Sequence, residues 1–97
     1  MARTITPTPL PSRPTIETQA AFGAFVRSIR TQLGLRIDDA AALCGVSVAL
    51  LSALENGKPR SIGLDKALHI AQQLGLALLA VPRADLPETL HRLGHEE

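Results

Sequence analysis

The sequence predicts an all-α domain of four to five short helices, followed by one short β-strand that pairs across a dimer. Three observations carry that expectation. Apolar residues recur at helical spacing in successive stretches from Thr15 onward. Glycines stand where these stretches must stop, at Gly34, Gly45, Gly57 and Gly75. Then Leu76-Ala77-Leu78-Leu79-Ala80-Val81, between Gly75 and Pro82, is too short and too uniformly apolar for a surface helix and reads as a strand.

Composition agrees with a small helical core. Ninety-seven residues suit one domain with short tails, and a chain with two Phe and no Tyr or Trp must build its core from aliphatic side chains. The single Cys44 excludes an intramolecular disulfide and a multi-cysteine metal site, and fits a small buried hydrophobe. The first residues lack the apolar core of a signal peptide, and the longest apolar run falls far short of the ~20 residues that span a bilayer. A cytoplasmic protein that does not enter membranes is expected. The net charge of +1 is unevenly spread. Arg3 and Arg13 lie in an acid-free leader, the middle of the chain is weakly basic, and Asp85, Glu88, Glu96 and Glu97 outweigh Arg92 at the end. That balance permits nucleic-acid binding without demanding it.

Residues 1–16, with Pro7, Pro9, Pro11 and Pro14, read as a disordered arm of polyproline character whose arginines could reach DNA. Residues 17–75 form the helical domain. Its first helix is expected from about Glu17 to Leu33, with Phe22, Val26, Ile29 and Leu33 on one face and Phe25 beside them. The second runs from Ile37 to Cys44, with Asp38 and Asp39 at the positive end of its dipole. Gly45 ends it, because a C′ residue often needs positive φ and glycine reaches that conformation without a Cβ clash. Ser47 caps the third helix, Val48 to Asn56. Ala40, Ala41, Cys44, Val46, Leu51 and Leu54 fall where two helices crossing steeply share a core. Two short helices, a tight turn and a second cap make a helix-turn-helix, which sets its second helix in the DNA major groove.

A fourth helix begins near Leu64, carries Leu64, Leu68, Ala71 and Leu74 with Ala67 and Ile70 flanking, and stops at Gly75. Residues 76–82 are the expected strand. No other strand candidate exists in the chain, so its backbone must pair with a second copy or a partner. Residues 83–97 form an acidic tail in which Leu86, Leu90 and Leu93 fit a short helix. His91 and His95 stand four apart, but without a third ligand they read as a solvated tail, and no metal or cofactor is expected. No Ser/His/Asp grouping, phosphate loop or cysteine nucleophile points to an enzyme.

Residues 20–76 resemble the Xre family, the fold of lambdoid phage repressors and Cro. The likeness rests on Gly34-Leu35, Gly45-Val46-Ser47, Leu51-Ser52 and Leu54-Glu55-Asn56-Gly57-Lys58. It implies a largely buried salt bridge between Arg30 and Glu55. Ser61 to Leu68 and Leu74 to Pro82 are similar to the HipB-type antitoxins. That resemblance implies a homodimer paired through Leu76, Ala77, Leu78, Leu79, Ala80 and Val81. It also implies a repressor that binds operator DNA and neutralises a HipA-type kinase toxin.

The resemblance places Arg27, Arg36, Ser47, Asn56, Lys58 and Arg60 at or near positions that grip the DNA backbone. It places Val48, Ala49, Leu50, Ser52 and Ala53 on the recognition helix. Two departures stand out. Ile37 occupies a position often held by Gln or Thr, and Val48, Ala49, Leu50 and Ala53 carry no hydrogen-bonding group for a base edge. Base reading is then left to thymine methyl contacts, DNA shape and the hydroxyls of Ser47 and Ser52. Two further readings stay open: a protein-docking module built on the apolar third helix, and a stand-alone Xre regulator without a toxin.

Overall fold

A computed structural model describes residues 5–58 and 61–94. Its elements are α1 (Gln19–Gln32), α2 (Ile37–Cys44), α3 (Val48–Glu55), α4 (Leu64–Gln73), a 3-10 turn over Arg83–Asp85 and α5 (Leu86–Arg92). α1 packs on α3, and α2 packs on α3 and α4. The chain turns by 110° between α2 and α3, as a helix-turn-helix requires.

The cap signals act as their chemistry dictates. Gly45 takes φ 68°, and Ser47 Oγ accepts the Leu50 N–H at 3.0 Å. α1 starts at Gln19 because Thr18 is extended and its Oγ1 accepts the Ala21 N–H at 3.0 Å. That hydroxyl cap overrides the expected start at Glu17.

One core joins Phe22 and Val26 of α1, Ala40, Ala41 and Cys44 of α2, Leu51 and Leu54 of α3, and Ile70, Ala71 and Leu74 around the end of α4. Ile29, Leu35, Val46, Ala67 and Leu76 pack against it, half-buried. Two expected core residues are exposed: Leu33, which has become the C-cap of α1, and Leu64, the first residue of α4. Ile70, expected on a flank, is fully buried.

The α1–α3 contact is close enough to exclude a side chain. A Cβ at Gly23 would lie 2.7 Å from the Leu54 carbonyl carbon and nearer still to its oxygen. Just beyond, Arg30 closes the corner. Its Nε and Nη2 donate to the two Glu55 carboxylate oxygens at 2.7 and 2.9 Å, and Nη1 donates to the Leu35 carbonyl at 2.9 Å. The Arg30 and Glu55 side chains are 12% and 3% exposed, so the expected buried pair is present.

Residues 5–16 differ from the expected disordered arm; residues 1–4 lie outside the described residues. The Thr8 N–H donates to Thr31 Oγ1 at 2.8 Å, and the Thr8 carbonyl accepts from Ser28 Oγ at 2.8 Å and Gln32 Nε2 at 3.1 Å. Ser28 and Thr31 are buried, and this strap gives them partners. Prolines donate no backbone hydrogen bond, so Thr8 supplies the anchoring donor and acceptor.

The expected strand over residues 76–82 is the other difference. No β-strand occurs among the described residues, and this segment leaves α4 without helix or turn. Leu76 N–H still bonds the Ala71 carbonyl at 2.8 Å; Ala77 to Val81 find no backbone partner among the described residues. A strand exists only as half of a ladder, and one copy of the chain offers no second half.

Candidate nucleic-acid interface

The outward side of the α2–α3 unit is built from caps and small side chains. Ser47, Val48 and Ala49 at the head of α3 are exposed, while Leu50, Ser52 and Ala53 are half-buried. The opposite side of the same helix, Leu51, Leu54 and Glu55, is buried against α1 and α2. Core contacts therefore fix how α3 is presented.

The candidate polar residues separate into engaged and available groups. Asn56 Nδ2 donates to the Ser52 carbonyl at 2.8 Å and to Ser52 Oγ at 3.4 Å, so Asn56 and Ser52 are brought together as the end-cap of α3. The Ser47 hydroxyl accepts from the helix backbone and keeps its own hydrogen to donate outward. Arg36 stands at the N-cap of α2 without making a side-chain cap, and its Nε lies 3.6 Å from Asp38 Oδ1, both side chains being well exposed. Arg27 on α1 and Lys58 beyond α3 are exposed. Arg60 lies outside the described residues. No hydrogen bond or ion pair joins Arg27 to another candidate among the described residues.

Ile37 explains one departure from the family pattern. It is half-buried and packs against the core, so this position is used for packing in place of a polar anchor.

A helix-turn-helix family model (HTH_3) matches residues 26–80, which contain α2, α3 and α4 whole. The chain belongs to the Xre-type helix-turn-helix family. A curated relative of this family type is the "Uncharacterized HTH-type transcriptional regulator y4mF" of Sinorhizobium fredii. It is 38% identical over 63 residues, covering 65% of this chain and 82% of the relative. In this helix-turn-helix family member the family match runs through Leu76–Ala80 and ends there.

That segment lines a second feature, which sequence periodicity missed. Residues Leu76 to Val81, the end of the strap at Pro14 to Glu17, Phe25, Leu86 and Leu90 of α5 and Leu93 at its C-cap surround a groove of about 710 Å³. Its rim is tied by Arg83 Nη1 to Glu17 Oε1 at 2.8 Å. Leu79 is 70% exposed. The only local signal was the apolar run itself; the groove's other walls come from elements distant in sequence.

His91 is exposed, and His95 lies outside the described residues. No group of three or more His, Cys, Asp or Glu able to hold a metal occurs among the described residues. Burial pushes the Cys44 thiol above its ordinary value. No single described helix is long and apolar enough to cross a membrane.

Proposed function

We propose that this chain is an HTH-type transcriptional regulator acting as a dimeric repressor of its own operon and as the antitoxin of a HipA-type kinase toxin. The observation that carries the DNA-binding part is the α2–α3 unit itself. α3 is clamped from behind by Leu51, Leu54 and the Arg30–Glu55 pair, with its other side presented outward. The family and the regulator from S. fredii support the same reading. In this reading Arg27, Arg36, Ser47, Lys58 and Arg60 hold phosphates, and the head of α3 enters the major groove. A dimer presents two such helices to half-sites about 34 Å apart or a multiple of that.

Two features support the dimer. Among the described residues Ala77 to Val81 carry backbone groups without backbone partners, and Ala77 to Ala80 are exposed along the groove. Pairing with the same segment of a second copy satisfies both at once. The toxin part rests on the likeness of Ser61–Leu68 and Leu74–Pro82 to the HipB-type antitoxins.

Binding to the DNA upstream of the protein's own gene, measured at two salt concentrations, tests the repressor. Nanomolar affinity with a salt slope near −0.9 per phosphate contact is expected. No preference over random DNA would sink the repressor and favour the docking-module reading of the apolar α3. Leu79→Pro should leave a monomer in solution; an unchanged mass refutes strand pairing. Co-expression with a kinase encoded beside this gene should restore growth, and failure there leaves a stand-alone regulator.

A further inference from the structure

We propose that α3 reads the C5-methyl groups of pyrimidines, so that the protein treats 5-methylcytosine as thymine and its operator binding responds to cytosine methylation. This rests on the DNA-binding reading above and specifies what that site recognises. Three mechanisms are open to a helix with this composition: hydroxyl contacts, DNA shape, and methyl contacts. The structure narrows them.

The hydroxyls have other work. Ser47 Oγ accepts the Leu50 N–H at the very start of α3, and its remaining hydrogen is the one the reading above gives to a phosphate; Ser52 is half-buried and joined to Asn56. What stands outward at the head of α3 is Val48, 43% exposed, and Ala49, with half-buried Ala53 one turn on. None of the three can donate or accept a hydrogen bond. Shape reading works through duplex deformability and through cations in a narrow groove or along the backbone; it belongs to the flanking cations and leaves these three side chains for direct contact. They do offer a smooth surface of methyl groups.

The length of these side chains decides what they can touch. An alanine Cβ reaches only groups that project from the base-pair edge. In the major groove the projecting apolar group is the C5-methyl of thymine. It meets another methyl favourably at about 3.5–4.0 Å. Cytosine lacks that methyl, and 5-methylcytosine carries it at the same ring position. A reader using Arg or Gln distinguishes T·A from 5-methylcytosine·G by the hydrogen-bonding groups of the purine partner; an apolar reader has nothing with which to sense those groups. The cations on neighbouring elements, Arg27, Arg36 and Lys58, are exposed and suit the phosphates flanking such a contact. Asp38 and Asp39 oppose them on α2, with Asp38 offset by Arg36 at 3.6 Å. Affinity therefore comes from the flanks and discrimination from the methyls.

The test changes the DNA and leaves the protein intact, so no variant has to fold. A preferred duplex is first selected from a randomised pool with the full-length chain. Each thymine in the selected site is then replaced by uracil, and separately each T·A pair by C·G or by 5-methylcytosine·G. Loss of one contacted methyl should weaken binding about fourfold, the equivalent of one buried methylene, and loss of three roughly sixtyfold. At the same positions 5-methylcytosine should bind about fourfold tighter than cytosine. Equal binding of the uracil duplex overturns the proposal, as does a 5-methylcytosine duplex no better than the cytosine one. If no duplex is enriched over random DNA, the proposal falls together with the DNA reading beneath it, and the unsubstituted duplex tells the two failures apart. Ala49→Arg gives the converse result: a guanine becomes preferred and the methyl dependence at that position is lost.

Discussion

Gly23→Ala is the substitution that probes the helix packing most directly. Alanine favours an isolated helix over glycine by about 1 kcal/mol, so propensity alone predicts a more stable protein. The structure predicts the reverse. The new Cβ would lie 2.7 Å from the Leu54 carbonyl carbon and nearer still to its oxygen, and α1 and α3 must part by more than about 1 Å to restore ordinary contact. Backbone cannot rotate out of the way as a side chain can, so the cost belongs at the upper end of the ~1–3 kcal/mol found for overpacked cores, or beyond. Parting the helices also pulls Glu55, the residue after Leu54, away from Arg30, whose bonds to it are 2.7 and 2.9 Å long. After the propensity gain, a net loss of about 2–3 kcal/mol remains, which for a domain of this size lowers the melting temperature by roughly 10–20 °C. The chain has neither Trp nor Tyr, so helical circular dichroism is the signal to follow through heat or urea. A variant as stable as the parent, or more stable, refutes the close approach and leaves propensity as the dominant effect.

Other substitutions report on other joints. Arg30→Ala strands a carboxylate whose side chain is 3% exposed and should cost about 3–5 kcal/mol, whereas Arg30→Met with Glu55→Leu should recover most of that in the same melts. The Cys44 thiol, raised by burial, should react with an aromatic disulfide only as fast as the protein unfolds. Since its charged form is penalised in the folded state, stability should hold below the ordinary thiol value of about 8.5 and fall as pH rises past it; immediate labelling of the native protein would contradict both. Thr31→Val removes the acceptor of the Thr8 N–H and should cost about 1 kcal/mol. It should also speed hydrogen exchange of the Thr8 amide, and an unchanged exchange rate would mean that the strap is held elsewhere.

The parts of this fold that a sequence reveals are those decided locally. Gly45 and Ser47 act on their own backbone within a few residues, and α2 ends and α3 begins where those signals put them. Arg30 and Glu55 are 25 residues apart and were legible only through family resemblance. The remainder depends on partners that no local pattern encodes. Gly23 is required by a carbonyl in α3. Ser28 and Thr31, polar residues on an otherwise amphipathic helix, are buried because Thr8 returns to meet them. Leu33 fits the apolar period of α1 but is its cap, and there the chain departs from the core. For residues 76–82 the apolar run was plain, while a ladder partner is a property of an assembly and cannot be found in one copy. At the candidate interface, the residue types on α3 were fully legible. That Asn56 is occupied by Ser52, and that Ile37 belongs to the core, became visible only in three dimensions.

Along α3 the most buried and the most exposed residues have separate tasks. Leu51, Leu54 and Glu55 hold the helix down, and Val48 and Ala49 take no part in the core. Residues that support nothing can be exchanged freely. An engineer could rewrite positions 48 and 49 wholesale, screening for new target sequences in a library whose members nearly all fold, with no compensating changes underneath. The same independence lets a lineage drift from one target to another by single steps, each intermediate remaining a stable protein.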